Sequence, residues 1–196
     1  MKFQKFYESK KKTPVVVFAG RFQPFHVGHK ETYDNLVEKF GKDNVYIATS
    51  NKVELPKSPF RFAEKRKIIR KMFKIPSDKI VQVKNPYAPL EVLEKYPKNS
   101  AYVAVVGKKD ADRLMKGKYF DMYKDDIPLD KYEDKGYIYV APQNTKFFNG
   151  KRITGTLVRE VLKDGSAEDK MDLFNELYPK FNQEIFDLVI NKIRGE

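Results

Sequence analysis

The stretch Val15-Val16-Val17-Phe18-Ala19-Gly20-Arg21-Phe22-Gln23-Pro24-Phe25-His26-Val27-Gly28-His29 decides the fold of this chain. It begins with an apolar, β-branched run, which predicts a buried strand. From Gly28 to Phe40, apolar residues recur with the period of an amphipathic helix. The only two histidines of the chain, His26 and His29, therefore lie three residues apart where a strand leads into a helix. Because the free N–H groups of a helix start favour phosphate, the sequence predicts a site for phosphate chemistry here.

Composition limits the class of protein. The chain has 196 residues, of which 41% are hydrophobic, and this is enough for one ordinary domain with a proper core. It contains no cysteine, so disulfides, thiolate catalysis and cysteine-ligated zinc are excluded. No apolar segment approaches the roughly 18 residues of a membrane span, and the N-terminus lacks a signal-peptide core. We therefore expect an unexported, cytoplasmic protein without membrane contact.

The charge of the chain is strongly positive, with a formal net charge of +12. The lysines are spread along the whole sequence with carboxylates between them, so the pattern forces no single basic face. We therefore expect a surface that steers a small polyanion such as a nucleoside triphosphate, rather than one that binds nucleic acid. A nucleic-acid-binding module on the same fold stays as a distant alternative, because basic charge combined with many tyrosines and phenylalanines permits it.

Strand and helix patterns alternate along residues 15–196, which predicts one α/β domain after an N-terminal extension over residues 1–14. Strands are predicted at 15–19, 44–49, 79–83, 101–106 and 137–140, and helices at 28–40, 61–74, 89–96, 109–116, 155–164, 167–178 and 182–194, with an irregular, charged stretch from about 116 to 136. Continuous apolar strands in this order indicate a Rossmann-like, doubly wound parallel sheet with helices on both faces and extra C-terminal helices. Ligands of such sheets bind beyond the carboxyl ends of the strands.

The histidine pair has a second possible interpretation as a metal site, because two histidines three residues apart can bind zinc. Zinc would need a third and a fourth ligand, and only carboxylates such as Asp34 remain to supply them. We therefore expect no metal ion held by protein ligands.

The segment from Gly20 to His29 resembles the signature of the H-x-G-H nucleotidyltransferase superfamily, and its residues are most similar to those of the archaeal-type nicotinamide mononucleotide adenylyltransferases. Cytidylyltransferases of the glycerol-phosphate and choline-phosphate type have a different motif at this place, closer to G-T-F-D-x-x-H. The resemblance implies transfer of a nucleoside monophosphate, AMP from ATP in the first instance, to a phosphate-ester acceptor such as nicotinamide mononucleotide, with release of pyrophosphate. A CTP-dependent cytidylyltransferase and an adenylyltransferase for another phosphate ester, such as phosphopantetheine, stay open as alternatives.

Three further segments resemble parts of the superfamily's sequences, and the one nearest the C-terminus follows the histidine motif in the order that the superfamily has them. Ile153–Arg159 resembles the motif I-S-x-T-x-x-R, with Thr154 in place of the serine. Hydroxyl groups and a glycine at a helix start offer hydrogen-bond donors to phosphate oxygens, and an arginine one turn later can reach the same phosphates. Gly107–Asp110 follows the fourth predicted strand, where the superfamily often has a glycine and an acidic residue that line the nucleotide pocket.

The segment Ser58–Lys65 is similar to N-P-F-T-x-x-E-R of the same adenylyltransferases, whose arginine helps bind substrate phosphate. Lys65 stands where that arginine would be; it keeps the charge but loses the bidentate fork of a guanidinium. Arg61 or Lys57 are alternatives for this role.

The resemblance implies the following assignments. The catalytic residues are His26, His29 and Arg159. The nucleotide-binding residues are Gly20, Arg21, Phe22, Phe25, Gly28, Gly107, Asp110, Thr154, Gly155 and Thr156. The substrate-binding residues are Lys57, Arg61 and Lys65. We expect the histidines to donate hydrogen bonds to the α- and β-phosphates, and Mg²⁺ to enter with the triphosphate, held mainly by phosphate and water. Assembly as a homo-oligomer is left open.

Overall fold

The computed structural model describes residues 14–142 and 146–195. The predicted N-terminal extension lies outside this part of the chain, except for Pro14, which begins the first strand. The strands are β1 (Pro14–Ala19), β2 (Val45–Thr49), β3 (Ile80–Gln82), β4 (Ala101–Val106), β5 (Phe120–Met122), β6 (Gly136–Val140), β7 (Phe147–Phe148) and β8 (Lys151–Arg152). The α-helices are α1 (Val27–Phe40), α2 (Phe62–Phe73), α3 (Leu90–Leu93), α4 (Lys108–Leu114), α5 (Gly155–Asp164), α6 (Ala167–Leu177) and α7 (Gln183–Arg194).

Six strands form one sheet in the order β3-β2-β1-β4-β6-β5, and every neighbouring pair in it is parallel. The chain moves outward from β1 to β3 and then crosses back to β4 on the other side of β1. This reversal is the topological switch point of a doubly wound sheet, where the loops after β1 and β4 leave the same edge. The predicted Rossmann-like fold is thus confirmed.

The two faces of the sheet carry separate apolar clusters, because successive side chains of a strand point to opposite faces. Val16 and Phe18 of β1 face the larger cluster, which α1, α2, α5, α6 and α7 cover. Val15 and Val17 face the smaller cluster, which contains residues of α3 and α4. Burial on both faces explains why β1 and β4 read as continuous apolar runs.

Three short strands were not predicted from the sequence. β5 lies within the stretch predicted to be irregular; it has three residues, and only Phe120 among them is buried. β7 and β8, with two residues each, form an antiparallel hairpin just before α5. Strands this short contain too few residues for alternation to be visible, so their positions depend on the neighbouring chain.

The helix predicted over residues 89–96 is also shorter than expected, since α3 ends at Leu93. Pro97 disfavours helical backbone at Tyr96, so the helix ends before it. The Tyr96 side chain is held elsewhere, because its hydroxyl bonds with the Tyr46 hydroxyl at 2.8 Å and the Asp43 carbonyl at 2.9 Å. Among the helices of the described residues, none is both long enough and apolar enough to cross a membrane.

Candidate active site

The two histidines lie at the start of α1 and cap the helix with their own side chains. His26 Nδ1 accepts a hydrogen bond from the Gly28 N–H at 3.1 Å, and His29 Nδ1 accepts one from the His26 N–H at 3.2 Å. A neutral imidazole that accepts at Nδ1 carries its proton on Nε2. Both rings therefore present an Nε2–H donor, and their centroids are only 3.9 Å apart.

The surroundings of the histidines keep both rings uncharged. Burial lowers the pKa of His26 to about 4, against a smaller opposing effect of Glu31. Burial, followed by repulsion from His26, lowers the pKa of His29 well below its ordinary value. The His29 ring packs among aromatic rings, with centroids 5.1 Å from Phe22 and 5.2 Å from Phe25. At neutral pH the pair therefore supplies two hydrogen-bond donors and no formal charge.

The loop between β1 and α1 has a strained backbone at Phe22, whose φ is 47° although it is not a glycine. This conformation brings the Phe22 ring over Gly20, where a Cβ atom would lie 2.7 Å from the ring. Only glycine fits at that position without moving the ring. Gly20 and Phe22 together thus set the aromatic wall against which His29 packs.

Gln23 ties this loop to the segment that precedes α2. Its side-chain Nε2 donates to the Phe60 carbonyl at 3.2 Å, and its Oε1 accepts from the Phe60 N–H at 2.9 Å. Gln23 is 8% exposed and Phe60 is fully buried, so water cannot replace these bonds. The sequence analysis treated Gln23 only as part of the motif; the available signal was an amide side chain between the aromatic residues Phe22 and Phe25.

The start of α5 offers free backbone and hydroxyl groups beside an arginine. Thr154 is the N-cap, and its hydroxyl oxygen accepts from the Leu157 N–H at 3.2 Å. The Arg159 guanidinium turns back over this first turn, since a Cβ on Gly155 would lie 3.1 Å from one of its nitrogens. It also donates to the Thr156 hydroxyl at 3.4 Å. Thr154, Gly155 and Thr156 are all exposed, so this helix start is open to an anion.

Arg159 and Arg21 bring two positive charges close together. Partial burial and the neighbouring Arg21 guanidinium lower the pKa of Arg159, while Glu160 acts in the opposite direction. Two guanidinium groups that repel each other across a half-open surface favour an anion between them. The effect of Arg21 on Arg159 therefore indicates that the loop before α1 and the first turns of α5 lie near each other, although they are far apart in sequence.

Gly107 and Asp110 lie at the start of α4, on the same sheet edge. A Cβ on Gly107 would meet no atom within 4 Å, so the space before this turn is open. The Asp110 carboxylate accepts from the Arg113 guanidinium at 3.1 Å. Burial, followed by the charge of Asp110, raises the pKa of Tyr87. No contact recorded among the described residues joins Asp110 to the histidines.

The three candidate substrate-binding cations differ in exposure. Lys57 and Arg61 are exposed, on either side of the buried residues 58–60. Lys65 is 1% exposed, and its ammonium donates to the Thr49 hydroxyl at 2.9 Å and to the Ser50 carbonyl at 2.8 Å. No carboxylate lies within ion-pair distance of it among the described residues, and burial lowers its pKa to about 8.

The described residues, 14–142 and 146–195, contain no group of three or more histidine, aspartate or glutamate side chains placed to hold a metal ion. His26 and His29 also use their Nδ1 atoms for backbone hydrogen bonds.

A family model described as cytidylyltransferase-like matches residues 17–161, from within β1 to within α5, and this range includes the histidine loop. The chain belongs to this family. The resemblance to nucleotidyltransferases inferred from the motifs is therefore confirmed. The C-terminal helices α6 and α7 lie beyond the matched region.

One curated relative is the nicotinamide-nucleotide adenylyltransferase of Archaeoglobus fulgidus, which is 26% identical over 156 residues, or 78% of this chain and 82% of the relative. A solved bifunctional NMN adenylyltransferase/ADP ribose pyrophosphatase from Francisella tularensis, complexed with AMP and a manganese ion, superposes with a TM-score of 0.59 at 16% identity, covering 94% of this chain and 52% of that one. The nicotinic acid mononucleotide adenylyltransferase of Plasmodium falciparum superposes with a TM-score of 0.52 at 12% identity, covering 91% and 95%. These structural likenesses show the shared fold.

Proposed function

We propose that this protein transfers AMP from ATP to nicotinamide mononucleotide and releases pyrophosphate. The observation that carries the proposal is the pair of neutral histidines with both Nε2–H groups free to donate, next to the Arg21 and Arg159 guanidinium groups. The sequence around the histidines and the similarity to the Archaeoglobus relative support adenylyl transfer to a pyridine mononucleotide.

The acceptor phosphate needs no general base in this reaction. A phosphate monoester is mostly dianionic at pH 7, because its second pKa is about 6. One of its oxygens attacks the α-phosphorus of ATP, the bond from that phosphorus to the bridging oxygen of the β-phosphate breaks, and pyrophosphate leaves with the electron pair. The remaining task is to position the groups and to stabilise the negative charge that develops.

His26 and His29 fit this task as donors. Their Nε2–H groups would bind the α- and β-phosphate oxygens as charge develops there, and their low pKa values keep both rings in the donor-acceptor form near pH 7. Because each Nδ1 is already bonded to backbone N–H, the rings need no reorientation when ATP binds. Fixed donors of this kind contribute about 10²- to 10³-fold each to turnover.

Arg21, Arg159 and the first turn of α5 would bind the rest of the triphosphate. The exposed Thr154 and Thr156 hydroxyls and the N–H groups of this helix start point to a phosphate chain, with Arg159 at its β/γ end. Gly107 leaves the neighbouring edge of the sheet open for the nucleoside.

On the acceptor side, we propose that the exposed Lys57 and Arg61 bind the acceptor phosphate. Lys65 has a positioning role, because its ammonium is already bonded to Thr49 and Ser50. The Thr49 hydroxyl in turn donates to the Arg21 carbonyl at 3.4 Å. Lys65 thus fixes the end of β2 relative to the loop that binds the nucleotide.

A divalent cation is proposed to enter with ATP. The described residues form no metal cage, so the cation would be held by phosphate oxygens and water, as is usual for Mg²⁺ with nucleotide substrates. It would neutralise part of the triphosphate charge. The Francisella relative was crystallised with AMP and a manganese ion.

Pyrophosphate release with Mg²⁺ tests the proposal directly. ATP and CTP are each combined with nicotinamide mononucleotide, phosphopantetheine, glycerol 3-phosphate and phosphocholine. We expect turnover with ATP and nicotinamide mononucleotide only. Turnover confined to CTP would assign the protein to the cytidylyl branch, and turnover with another acceptor would replace the substrate proposed here.

The variant His29→Ala serves as the blank in this assay. It removes one Nε2–H donor, so turnover falls at least about 100-fold. It also removes the cap bond from the His26 N–H to His29 Nδ1, but alanine is a strong helix former, so the circular dichroism spectrum should stay close to that of the wild type. Lys30→Ala, which loses only an exposed pair with Asp34, is the control and should retain turnover. Near-normal turnover in His29→Ala would refute the mechanism.

A further inference from the structure

The outer face of α2 forms a basic groove that plays no part in the proposed reaction. This groove, called here the α2 groove, has a volume of about 500 Å³ and is lined by Arg66, Lys67, Arg70, Lys71 and Lys74. All five side chains are exposed. The sequence pattern alone did not predict a basic face, whereas the helical period collects these cations on one side of α2.

Carboxylates neutralise only part of the α2 groove. Glu184 of α7 forms ion pairs with both Lys67 and Lys71. Glu64, in the first turn of α2, accepts from the Arg61 N–H and pairs with Lys192 instead. These pairs also hold α7 against α2, so the two lysines have a structural use.

Arg66, Arg70 and Lys74 stand apart from these pairs, since the described residues offer none of them a carboxylate within 4 Å. Other exposed cations of the chain do have such a partner, for example Lys135 with Asp121 at 2.6 Å. Arg66 lies over the Phe62 ring at 5.5 Å, which fixes its direction along the helix. Three cations without an ion-pair partner therefore share one edge of the α2 groove.

The spacing of these three cations suits a chain of phosphates. Arg66 and Arg70 lie four residues apart in α2, separated by a rise of about 6 Å. Lys74 follows four residues later as the C-cap of α2, so the three backbone positions span about 12 Å. Successive phosphates along an extended single strand repeat on a similar scale. We propose that the α2 groove binds the sugar-phosphate backbone of a single-stranded nucleic acid.

The lining of the α2 groove favours a nucleic-acid strand over a membrane surface. A membrane-binding helix combines basic residues with large apolar side chains that insert between lipids. The apolar residues that line the groove are Ala63, Ile75 and Pro76, of which Ile75 is buried. No aromatic side chain lines it either, so bases find no stacking platform. The groove should therefore bind through the backbone alone and show no base preference.

The α2 groove also lies away from the nucleotide site. α2 begins beyond the carboxyl end of β2 and runs antiparallel to the strands, and the groove continues to Ser77, just before β3 begins. A bound strand should therefore coexist with ATP. This inference does not depend on the proposed adenylyl transfer.

The experiment is fluorescence anisotropy of a labelled oligothymidylate of about 20 nucleotides, with saturating Mg²⁺-ATP to occupy the active site. The triple variant Arg66→Glu/Arg70→Glu/Lys74→Glu reverses the free cations of the groove. The matched control is Lys116→Glu/Lys118→Glu/Lys124→Glu, which reverses three exposed lysines elsewhere. Should the groove variant unfold, as seen by circular dichroism, the corresponding triple glutamine variant replaces it.

We expect the groove variant to bind at least about tenfold more weakly near 50 mM salt, and the slope of log affinity against log salt to become shallower by about 2, for three lost phosphate contacts. The control variant should keep its affinity within about threefold. Oligoadenylate should bind as oligothymidylate does.

Several outcomes would overturn the inference. Equal losses in both triple variants would mean that only net charge matters. Displacement of the oligonucleotide by Mg²⁺-ATP would place binding at the nucleotide site. Tighter binding of inorganic polyphosphate or of phosphatidylserine vesicles, lost in the same groove variant, would assign the groove to a different ligand.

Discussion

At the scale of single residues, the candidate site depends on groups whose protonation is set by burial. The histidine spacing was visible in the sequence, but the use of both Nδ1 atoms by the loop backbone was not. The spacing of two histidines predicts where the rings lie but not their tautomers. Which ring nitrogen carries the proton depends on the hydrogen bond made by the second ring nitrogen. The same limit applies to Lys65, whose burial depends on how α2 packs against β2.

Lys65 provides a test of this packing. Because burial lowers its pKa to about 8 from 10.5, the unfolded chain binds more protons than the folded one between these two pH values. The free energy of unfolding contributed by this group therefore rises with pH from about 8 to 10.5. We expect Lys65→Met to remove this rise in urea unfolding measured across that range.

The exposed Lys118 supplies the control for this measurement, since Lys118→Met should leave the pH dependence unchanged. Lys65→Met should also lower kcat/KM by raising KM for ATP, because the Thr49 hydroxyl, which donates to the Arg21 carbonyl, loses its bond from the ammonium. A pH profile of stability identical in Lys65→Met and the wild type would contradict the burial of the ammonium.

At the scale of elements, the sequence predicted the long helices and the central strands well and the short strands not at all. α1, α2 and α5 each carry an apolar stripe that is visible in sequence, and α5 also begins after Thr154, a residue of the usual capping kind. β5 and the β7–β8 hairpin exist because a neighbouring strand or hairpin partner is present. A sequence pattern reports the conformational preference of neighbouring residues, and β5, β7 and β8 are too short to show a strand pattern.

The N-cap of α5 separates stability from function. Thr154→Ala removes the hydroxyl that caps the helix, which should cost about 1 kcal/mol of unfolding free energy. Ser166→Ala removes the equivalent cap of α6 at a similar cost. We expect only Thr154→Ala to raise KM for the triphosphate, in steady-state assays run beside thermal melts.

Thr154→Ser should restore both properties, because a serine hydroxyl caps as well as that of threonine. If Ser166→Ala raises KM as much as Thr154→Ala does, the α5 start has no special role in binding the triphosphate.

At the scale of the whole molecule, the doubly wound sheet brings distant segments to one edge. The loop after β1, the segment before α2 and the start of α5 all belong to the family region over residues 17–161. Alternating βα units predicted this arrangement, because the ligand edge follows from topology alone. What topology could not predict is how these loops are joined, since that depends on single side chains such as Gln23.

Gln23 connects the nucleotide loop to the acceptor segment, and Gln23→Ala breaks the connection. The variant leaves the buried N–H and carbonyl of Phe60 without partners, which should cost about 1 to 3 kcal/mol of unfolding free energy. It should also raise KM for the acceptor, because residues 57–61 are no longer held. Urea unfolding and steady-state kinetics measure the two effects.

Asn51→Ala is the matched control, because Asn51 makes one hydrogen bond to the same segment, to the Phe62 N–H at 2.8 Å, from an exposed position. Its cost should be smaller. A Gln23→Ala variant no less stable than Asn51→Ala would show that the two Gln23–Phe60 hydrogen bonds are not a main support of the site.

The contact between Gly20 and the Phe22 ring has a consequence for how this chain can vary. A methyl group at position 20 would displace the ring, and the ring packs against His29. A smaller side chain at position 22 would remove the obstacle. Substitutions at the two positions are therefore epistatic: an alanine at 20 is harmful in the present background and tolerable once Phe22 is gone. Mutational paths through this loop thus have a preferred order, with position 22 changing before position 20.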